Sequence, residues 1–294
     1  MIPEELLRQL RGIELRTQRL ADEQLAGSYH SVFKGQGVSF REVRGYTAGD
    51  DVRFLDWNVS ARMGEPYVKL FTEEREMTVM LVVDGSASGQ FGTARATKAR
   101  LAAEVGALCA FSAIKNNDNV GLILGTDLIE KLVPPKKGQK HVMRVIREIL
   151  GFEPSFQGTD LRLLLETLPK VCKRQSVAFV VSDFFGHGYE RALALAAAKH
   201  DVIPVVLVDP RDEELPDVGI ASLEDFETGE DVLVDTSDAR VREHYQRRMK
   251  ELSHARDRMF RKLSLDRVIV RTDEDFVRPI RELFARRARR IGGR

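Results

Sequence analysis

The sequence is poor in the residues that build disulfide frameworks, histidine metal sites and membrane helices. Its 294 residues include only 2 cysteines and 6 histidines, and no two histidines lie three or four positions apart. Cys109 and Cys172 fall on apolar faces of predicted helices, so we expect buried free thiols. No apolar run approaches the ~20 residues of a membrane-spanning helix, and the acidic N-terminus lacks a signal-peptide core. We therefore expect a cytoplasmic protein without a membrane-spanning segment.

An excess of charge of either sign is also missing. The 46 basic and 45 acidic residues leave a net charge of +1, so no global field attracts nucleic acid or a membrane surface. Four arginines are concentrated near the C-terminus: Arg286, Arg287, Arg289 and Arg290. Nucleic-acid binding through these arginines is an alternative, but such a helix face is more often simply solvated. We expect no nucleic-acid partner.

From about residue 76 to residue 275 the sequence alternates between strand and helix patterns, which is typical of a mostly parallel sheet covered by helices. The turn Gly125-Thr126-Asp127 makes 128–133 an antiparallel edge strand. The other strands are predicted at 78–84, 120–124, 177–183, 202–208 and 267–270. We predict an α/β fold with a doubly wound sheet in the usual order 3-2-1-4-5-6. Residues 1–75 form a helical, arginine- and glycine-rich extension to a domain spanning 76–294.

Oxygen-bearing side chains follow the first and fourth predicted strands. Asp84, Ser86 and Ser88 come directly after the first strand, and Asp183 ends the fourth. In the predicted order these strands are neighbours at the switch point of the sheet, ~4.8 Å apart, where open α/β sheets bind ligands. Thr159, in the loop before another helix, could reach the same crevice or could instead cap that helix.

Two carboxylates so close repel each other unless a positive charge lies between them. Because all the candidate ligands are oxygens, Mg²⁺, Mn²⁺ or Ca²⁺ is favoured over zinc or copper. Neutral serine hydroxyls leave an incomplete shell, with an open position for water or for a partner's carboxylate. The alternative is a polar crevice whose serines cap the following helix.

The residues Asp84-x-Ser86-x-Ser88, Thr159 and Asp183, in that order, resemble the metal-ion-dependent adhesion site of von Willebrand factor A domains. The resemblance implies a von Willebrand factor A-like fold over residues 76–210 at least. It also implies that all five residues hold a divalent cation, usually Mg²⁺, directly or through water. In that family the ion takes its last ligand from an acidic residue of a protein partner.

A second resemblance lies further toward the N-terminus. The segment Gly45-Tyr46-x-x-Gly49-Asp50-Asp51-x-Arg53-x-x-Asp56-Trp57-x-x-x-Ala61-Arg62 is similar to the signature of a bacterial family known as domain of unknown function 58. That family carries an A-type domain downstream, and its genes commonly neighbour those of MoxR-family AAA+ ATPases. The resemblance implies a non-enzymatic adaptor or co-chaperone of such an ATPase, of the short soluble type without membrane helices.

Two further alternatives concern catalysis. Asp84 and Asp183 could serve a Mg²⁺-dependent phosphohydrolase, although no general base or phosphate-binding loop accompanies them. In the segment Gly49–Arg62, the acids could hold a second metal. The favoured interpretation is a turn with an ion-pair network in which Trp57 anchors the extension against the sheet.

Overall fold

The structure is a computed structural model that describes residues 4–21, 29, 32, 39–72, 76–86, 96–155, 158–224 and 231–292. The chain divides into two compact units. The larger unit combines residues 1–32 with residues 78–294, and the smaller unit is residues 33–77. Helix α1 (Glu4–Leu20) therefore groups with the sheet, because it packs on two helices of the larger unit. The sequence-based boundary after residue 75 stays a prediction.

The smaller unit is an antiparallel hairpin that encloses a short helical segment. Its elements are β1 (Ser39–Gly45), a 3-10 turn (Val52–Phe54), α2 (Trp57–Met63) and β2 (Tyr67–Thr72), and β1 pairs with β2. Asp56 caps α2 by accepting from the backbone N–H groups of Asn58 and Val59. Gly64 ends the helix at φ +78°, a left-handed conformation that favours glycine.

The larger unit alternates strands and helices, as the sequence patterns predict. After α1 its elements are β3 (Thr78–Asp84), α3 (Lys98–Lys115), β4 (Asn119–Gly125), β5 (Ile129–Lys136), α4 (Gln139–Leu150), α5 (Leu161–Val171), β6 (Val177–Ser182), α6 (Glu190–Lys199), β7 (Asp201–Val208), α7 (Pro210–Glu213), β8 (Ile220–Glu224), β9 (Asp231–Asp235), α8 (Ala239–Lys262), β10 (Val268–Arg271) and α9 (Val277–Gly292). None of the helices in the described ranges is both long and apolar enough to cross a membrane.

Six strands form the central sheet in the spatial order β10-β7-β6-β3-β4-β5. Counted along the chain within this sheet, that order is 3-2-1-4-5-6, and only β5 runs antiparallel to its neighbour. The predicted α/β class and doubly wound topology are confirmed. The switch point lies between β3 and β6, the two strands that carry the candidate acids.

The sheet buries both faces because helices cover each of them. Alternate residues of β3 point to opposite faces: Leu81 meets α3, while Met80 and Val82 join a core cluster with α5 and α6. Phe260 of α8 completes that cluster. On the other face, α1 packs against α3 and α4. A buried Tyr29 donates to Asp118 Oδ2 at 3.0 Å.

The edge strand β5 extends to Lys136, beyond the predicted end at 133, and so includes Pro134 and Pro135. Prolines are tolerated there because an edge strand has one side without ladder partners. Strands β8 and β9 pair antiparallel, with Ile220 opposite Asp235. Both cysteines are buried free thiols, which confirms the prediction.

The C-terminal arginines differ from a simple solvated face. Arg287 of α9 donates to both oxygens of Asp201 at 2.7 and 2.8 Å and to Asp266 at 2.9 Å. Arg290 also contacts Asp266, at 2.9 Å. Arg287 therefore links α9 to the start of β7. Because Arg287 is paired with acids, fewer of these arginines are available to bind nucleic acid.

Candidate metal centre

The ends of two adjacent strands bring Asp84 and Asp183 together. β3 and β6 pair in parallel with Val83 opposite Val181, so Asp84 and Asp183 both leave the sheet at its carboxyl edge. Ser182 links the two strand ends, because its hydroxyl donates to Asp84 Oδ2 at 2.7 Å. The hydroxyl oxygen of Ser182 in turn accepts from the backbone N–H of Phe184 at 2.9 Å. This local network places the two acids at the switch point.

The pKa of Asp84 is affected by the nearby charge of Asp183. Burial raises the pKa of Asp84, and the charge of Asp183 raises it further. Hydrogen bonds from Ser182 and from the Ser86 backbone N–H, at 3.0 Å, oppose the increase without cancelling it. The two carboxylates are therefore close enough for the charge of Asp183 to disfavour ionisation of Asp84.

Gly85 allows an aromatic ring to lie against this turn. A Cβ placed on Gly85 would lie 2.9 and 3.0 Å from Cδ1 and Cζ of Phe152, and closer still to Cε1. Phe152 is buried, and with Asp84, Ser86 and Lys98 it lines a cavity of ≈ 20 Å³, about the size of one water molecule. Only glycine leaves room for the ring at this position.

Asp183 is held by a buried lysine that the sequence patterns did not identify. Lys98, the first residue of α3, donates from Nζ to Asp183 Oδ2 at 3.1 Å. The same Nζ lies 2.9 Å from Oδ2 of Asp212, a residue of α7. Burial lowers the pKa of Lys98, but the charges of Asp183 and Asp212 outweigh burial, so the pKa is raised. The side chain is therefore a permanent internal cation.

The backbone after Asp183 is in an unfavourable conformation that its surroundings stabilise. Phe184 has φ +59°, in the left-handed region that a bulky residue rarely adopts. Its ring packs against Phe260 at 5.1 Å, and its carbonyl accepts from the Tyr189 hydroxyl at 3.1 Å. Arg256 of α8 donates to the Asp183 carbonyl at 3.1 Å. These contacts fix the backbone directly after Asp183.

Thr159 does not cap the helix that follows it. The N-cap of α5 is Asp160, whose side chain accepts from the Leu163 N–H at 3.2 Å. The Thr159 methyl carbon lies 3.8 Å from where a Cβ on Gly186 would stand, so Thr159 neighbours the loop that follows Asp183. The capping alternative is therefore removed, while a role for the hydroxyl as a ligand stays a prediction.

The structure thus places Asp84 and Ser86 in one crevice with Lys98, which bonds Asp183, and it places Thr159 beside the loop that follows Asp183. Ser88 lies outside the described residues. Sequence reasoning missed Lys98, Ser182 and Asp212. A signal for Lys98 was present, since a lysine in the first turn of a helix opposes the helix dipole and is unusual without an acidic partner.

The donor set fits a hard divalent cation. Asp84 and Asp183 supply anionic oxygens, Ser86 supplies a hydroxyl, and the unrelieved repulsion at Asp84 would fall when a cation binds between the acids. Within the described ranges, no three or more histidine, cysteine, aspartate or glutamate side chains cluster in a way that could hold a metal. An ion here would therefore depend on hydroxyl and water oxygens as well.

The smaller unit contains the predicted ion-pair network. Arg44 donates to both oxygens of Asp50 at 2.8 and 2.7 Å, and this pairing holds the pKa of Asp50 at about 2. Arg53 pairs with Asp51 at 2.6 Å. Trp57, which the sequence predicts to anchor the extension, has a side chain that is 73% exposed.

Comparison with known proteins assigns the chain to a family. The strand order itself defines an α/β protein with a doubly wound, mostly parallel sheet. A family model described as "Protein of unknown function DUF58" matches residues 42–255. The chain therefore belongs to the DUF58 family. Uncharacterized protein Rv1480 of Mycobacterium tuberculosis is 34% identical over 286 residues, which cover 95% of this chain and 89% of that protein. Uncharacterized protein Mb1516 of Mycobacterium bovis matches equally.

Two solved structures are also similar to this chain. The conserved hypothetical protein BatB from Bacteroides thetaiotaomicron covers 72% of this chain and 99% of its own, with 15% identity and a TM-score of 0.45. The SpRpn10 VWA domain covers 72% of this chain and 94% of its own, with 14% identity and a TM-score of 0.37. Because both TM-scores are low, the fold class rests on the strand order described above.

Proposed function

We propose that this protein is a non-enzymatic, divalent-cation-dependent protein-interaction module. The cation, Mg²⁺ or alternatively Mn²⁺ or Ca²⁺, binds at the carboxyl edge of β3 and β6. Its ligands are Asp84, Ser86, Ser88, Thr159 and Asp183, directly or through water. The remaining coordination position accepts a carboxylate from a protein partner.

The observation that carries this proposal is the pair of acids at the switch point. Asp84 and Asp183 are near enough for one charge to raise the pKa of the other, and Ser86 lies in the same crevice. Lys98 is a counter-ion for Asp183, but the pKa of Asp84 is still raised by burial and by the charge of Asp183, and perturbed acids of this kind are typical of functional sites. Because few of the oxygen ligands are charged, the coordination shell of the metal would stay incomplete. The open position could then bind an acidic side chain of a partner.

The proposed partner is a MoxR-family AAA+ ATPase, for which this chain acts as an adaptor or co-chaperone. This part of the proposal depends on the family, whose genes commonly neighbour those of such ATPases. The acidic residue that completes the metal shell would lie on the ATPase or on its client.

The test is binding of the purified full chain to the MoxR-family ATPase encoded in the same genome, measured by biolayer interferometry. We expect binding in Mg²⁺, at least a tenfold loss in chelator, and a similar loss for Ser86→Ala. Ser112→Ala is the matched control, because Ser112 is also a buried serine but donates within α3 to the Leu108 carbonyl. That variant should bind like the wild type.

Equal binding with Mg²⁺ and with chelator would refute the metal dependence, and absence of binding in every condition would refute the partner. The phosphohydrolase alternative is separated by assaying generic phosphoesters. Metal-dependent turnover that Asp183→Asn abolishes would favour the enzyme over the adaptor.

A further inference from the structure

Lys98 is an unusual feature of the crevice, because a cation of the protein itself already lies against the candidate site. The residue is 2% exposed, and its ammonium bonds Asp183 at 3.1 Å and Asp212 at 2.9 Å. A buried ammonium is stable only with such partners. The contact between Lys98 and Asp183 is therefore needed for the ammonium to stay buried in the folded protein.

The charges around Lys98 do not balance. The carboxylates of Asp183 and Asp212 both contact its ammonium, and Asp84 lines the same cavity as Lys98. Arg256 adds a second positive charge near Asp183, because it donates to the Asp183 carbonyl at 3.1 Å, while Asp257 pairs more closely with Arg267, at 2.5 Å. Three carboxylates and two cations still leave one negative charge, which a bound divalent cation would offset.

A divalent cation bound to Asp183 would compete with a group that its carboxylate oxygens already contact. Asp183 Oδ1 accepts from the Phe185 N–H at 3.2 Å, and Oδ2 accepts from Lys98. The amide is neutral and can coexist with a bound cation, since each carboxylate oxygen has two lone pairs. The ammonium is a like charge that repels any cation on the same carboxylate.

We propose that Lys98 is the resident counter-cation of this site and sets its affinity for divalent ions. It holds Asp183 while no ion is bound, and it keeps only its contact with Asp212 when Asp183 binds one. Asp212 thereby serves as the alternative acceptor, which couples the site to α7. This inference rests on the proposed function, because it assumes that Asp183 is a ligand.

The test is calorimetric titration of the full chain with Mn²⁺ and Mg²⁺, without any partner. Lys98→Met removes the competing charge but keeps the apolar stem, and we expect the dissociation constant for Mn²⁺ to fall at least tenfold. The control Lys170→Met removes one charge from an exposed position on α5 and should leave the constant within twofold. An unchanged or weaker affinity for Lys98→Met, with wild-type binding intact, would overturn this inference and leave the metal site standing.

A second pair of variants tests the inference if Lys98→Met does not fold. Asp212→Asn removes the alternative acceptor, so Mn²⁺ should bind at least threefold more weakly than to Glu213→Gln. Glu213 is the adjacent acid of α7, and it pairs with Arg271 at 2.7 Å rather than with Lys98. Equal weakening by the two variants would count against the role of Lys98.

The outcomes separate the two proposals. Binding by Lys98→Met but not by the wild type would support the inference and contradict metal dependence in the native protein. Absence of binding by every variant up to millimolar ion would overturn both.

Discussion

Gly85 offers the sharpest test of how the candidate site is packed. A methyl group at this position would overlap three atoms of the Phe152 ring, and Phe152 is buried with little room to move. Overpacking of this kind costs about 1–3 kcal/mol. Replacing glycine also restricts the unfolded chain, which offsets about 0.4–1 kcal/mol of that cost. We expect Gly85→Ala to lower the free energy of unfolding by about 1–2 kcal/mol.

That loss corresponds to a fall in Tm of about 2–8 °C, because 1 kcal/mol shifts a domain of this size by about 2–4 °C. Chemical denaturation followed by circular dichroism gives the free energy, and differential scanning calorimetry gives the Tm. Gly12→Ala is the matched control. Gly12 lies within α1 with nothing inside 4 Å of its added Cβ, so the same substitution should stabilise by about 0.5–1 kcal/mol.

Phe152→Leu tests the cause of the loss. Leucine lacks the Cε1 and Cζ atoms that the new methyl group would meet. Gly85→Ala should therefore cost less in the Phe152→Leu background, with a coupling energy of at least about 1 kcal/mol in the double-mutant cycle. Additive effects, or a Gly85→Ala variant as stable as the wild type, would refute the steric argument.

Two further predictions concern sites away from the crevice. Arg287→Met removes the bidentate partner of Asp201 and leaves Asp266 with Arg290 alone, so it should destabilise by about 1–2 kcal/mol. Arg289→Met, at an exposed position of the same helix, should change stability by less than about 0.5 kcal/mol. Similar denaturation midpoints for the two variants would contradict this assignment. Burial lowers the pKa of His200 below its usual 6.5. The unfolded chain therefore binds the extra proton first, and stability attributable to His200 falls as pH drops through about 6.5, by at most about 1.4 kcal/mol per pH unit. Denaturation at pH 7.5 and 5.5 should show a shallower loss for His200→Asn than for the wild type, and identical losses would exclude this residue as the cause.

Much of the fold was visible in local sequence patterns. The strand of β3 reads as an unbroken apolar run because both of its faces are buried, and the helix α3 repeats apolar residues at helical spacing. The turn at Gly125 also had a local cause: a Cβ there would collide with the Leu128 carbonyl oxygen. Such features depend on neighbours within a few residues, so the order of residues alone predicts them.

Of the residues in the candidate site, only those at the ends of strands could be predicted from the sequence. Asp84 and Asp183 follow apolar strands, and the rule that parallel strands end at one edge brings them together. Lys98 and Asp212 obey no such rule, because they are 114 positions apart and meet only after α3 and α7 have packed. The exposure of Trp57 could not be predicted from the sequence either, since an aromatic residue in a polar segment can be an anchor or a surface residue.

The sequence by itself determined the class of fold and the two acids at its switch point. Only the tertiary structure decided which cation of the chain lies beside them, because side-chain partners distant in sequence are selected by packing and by charge balance in the folded state.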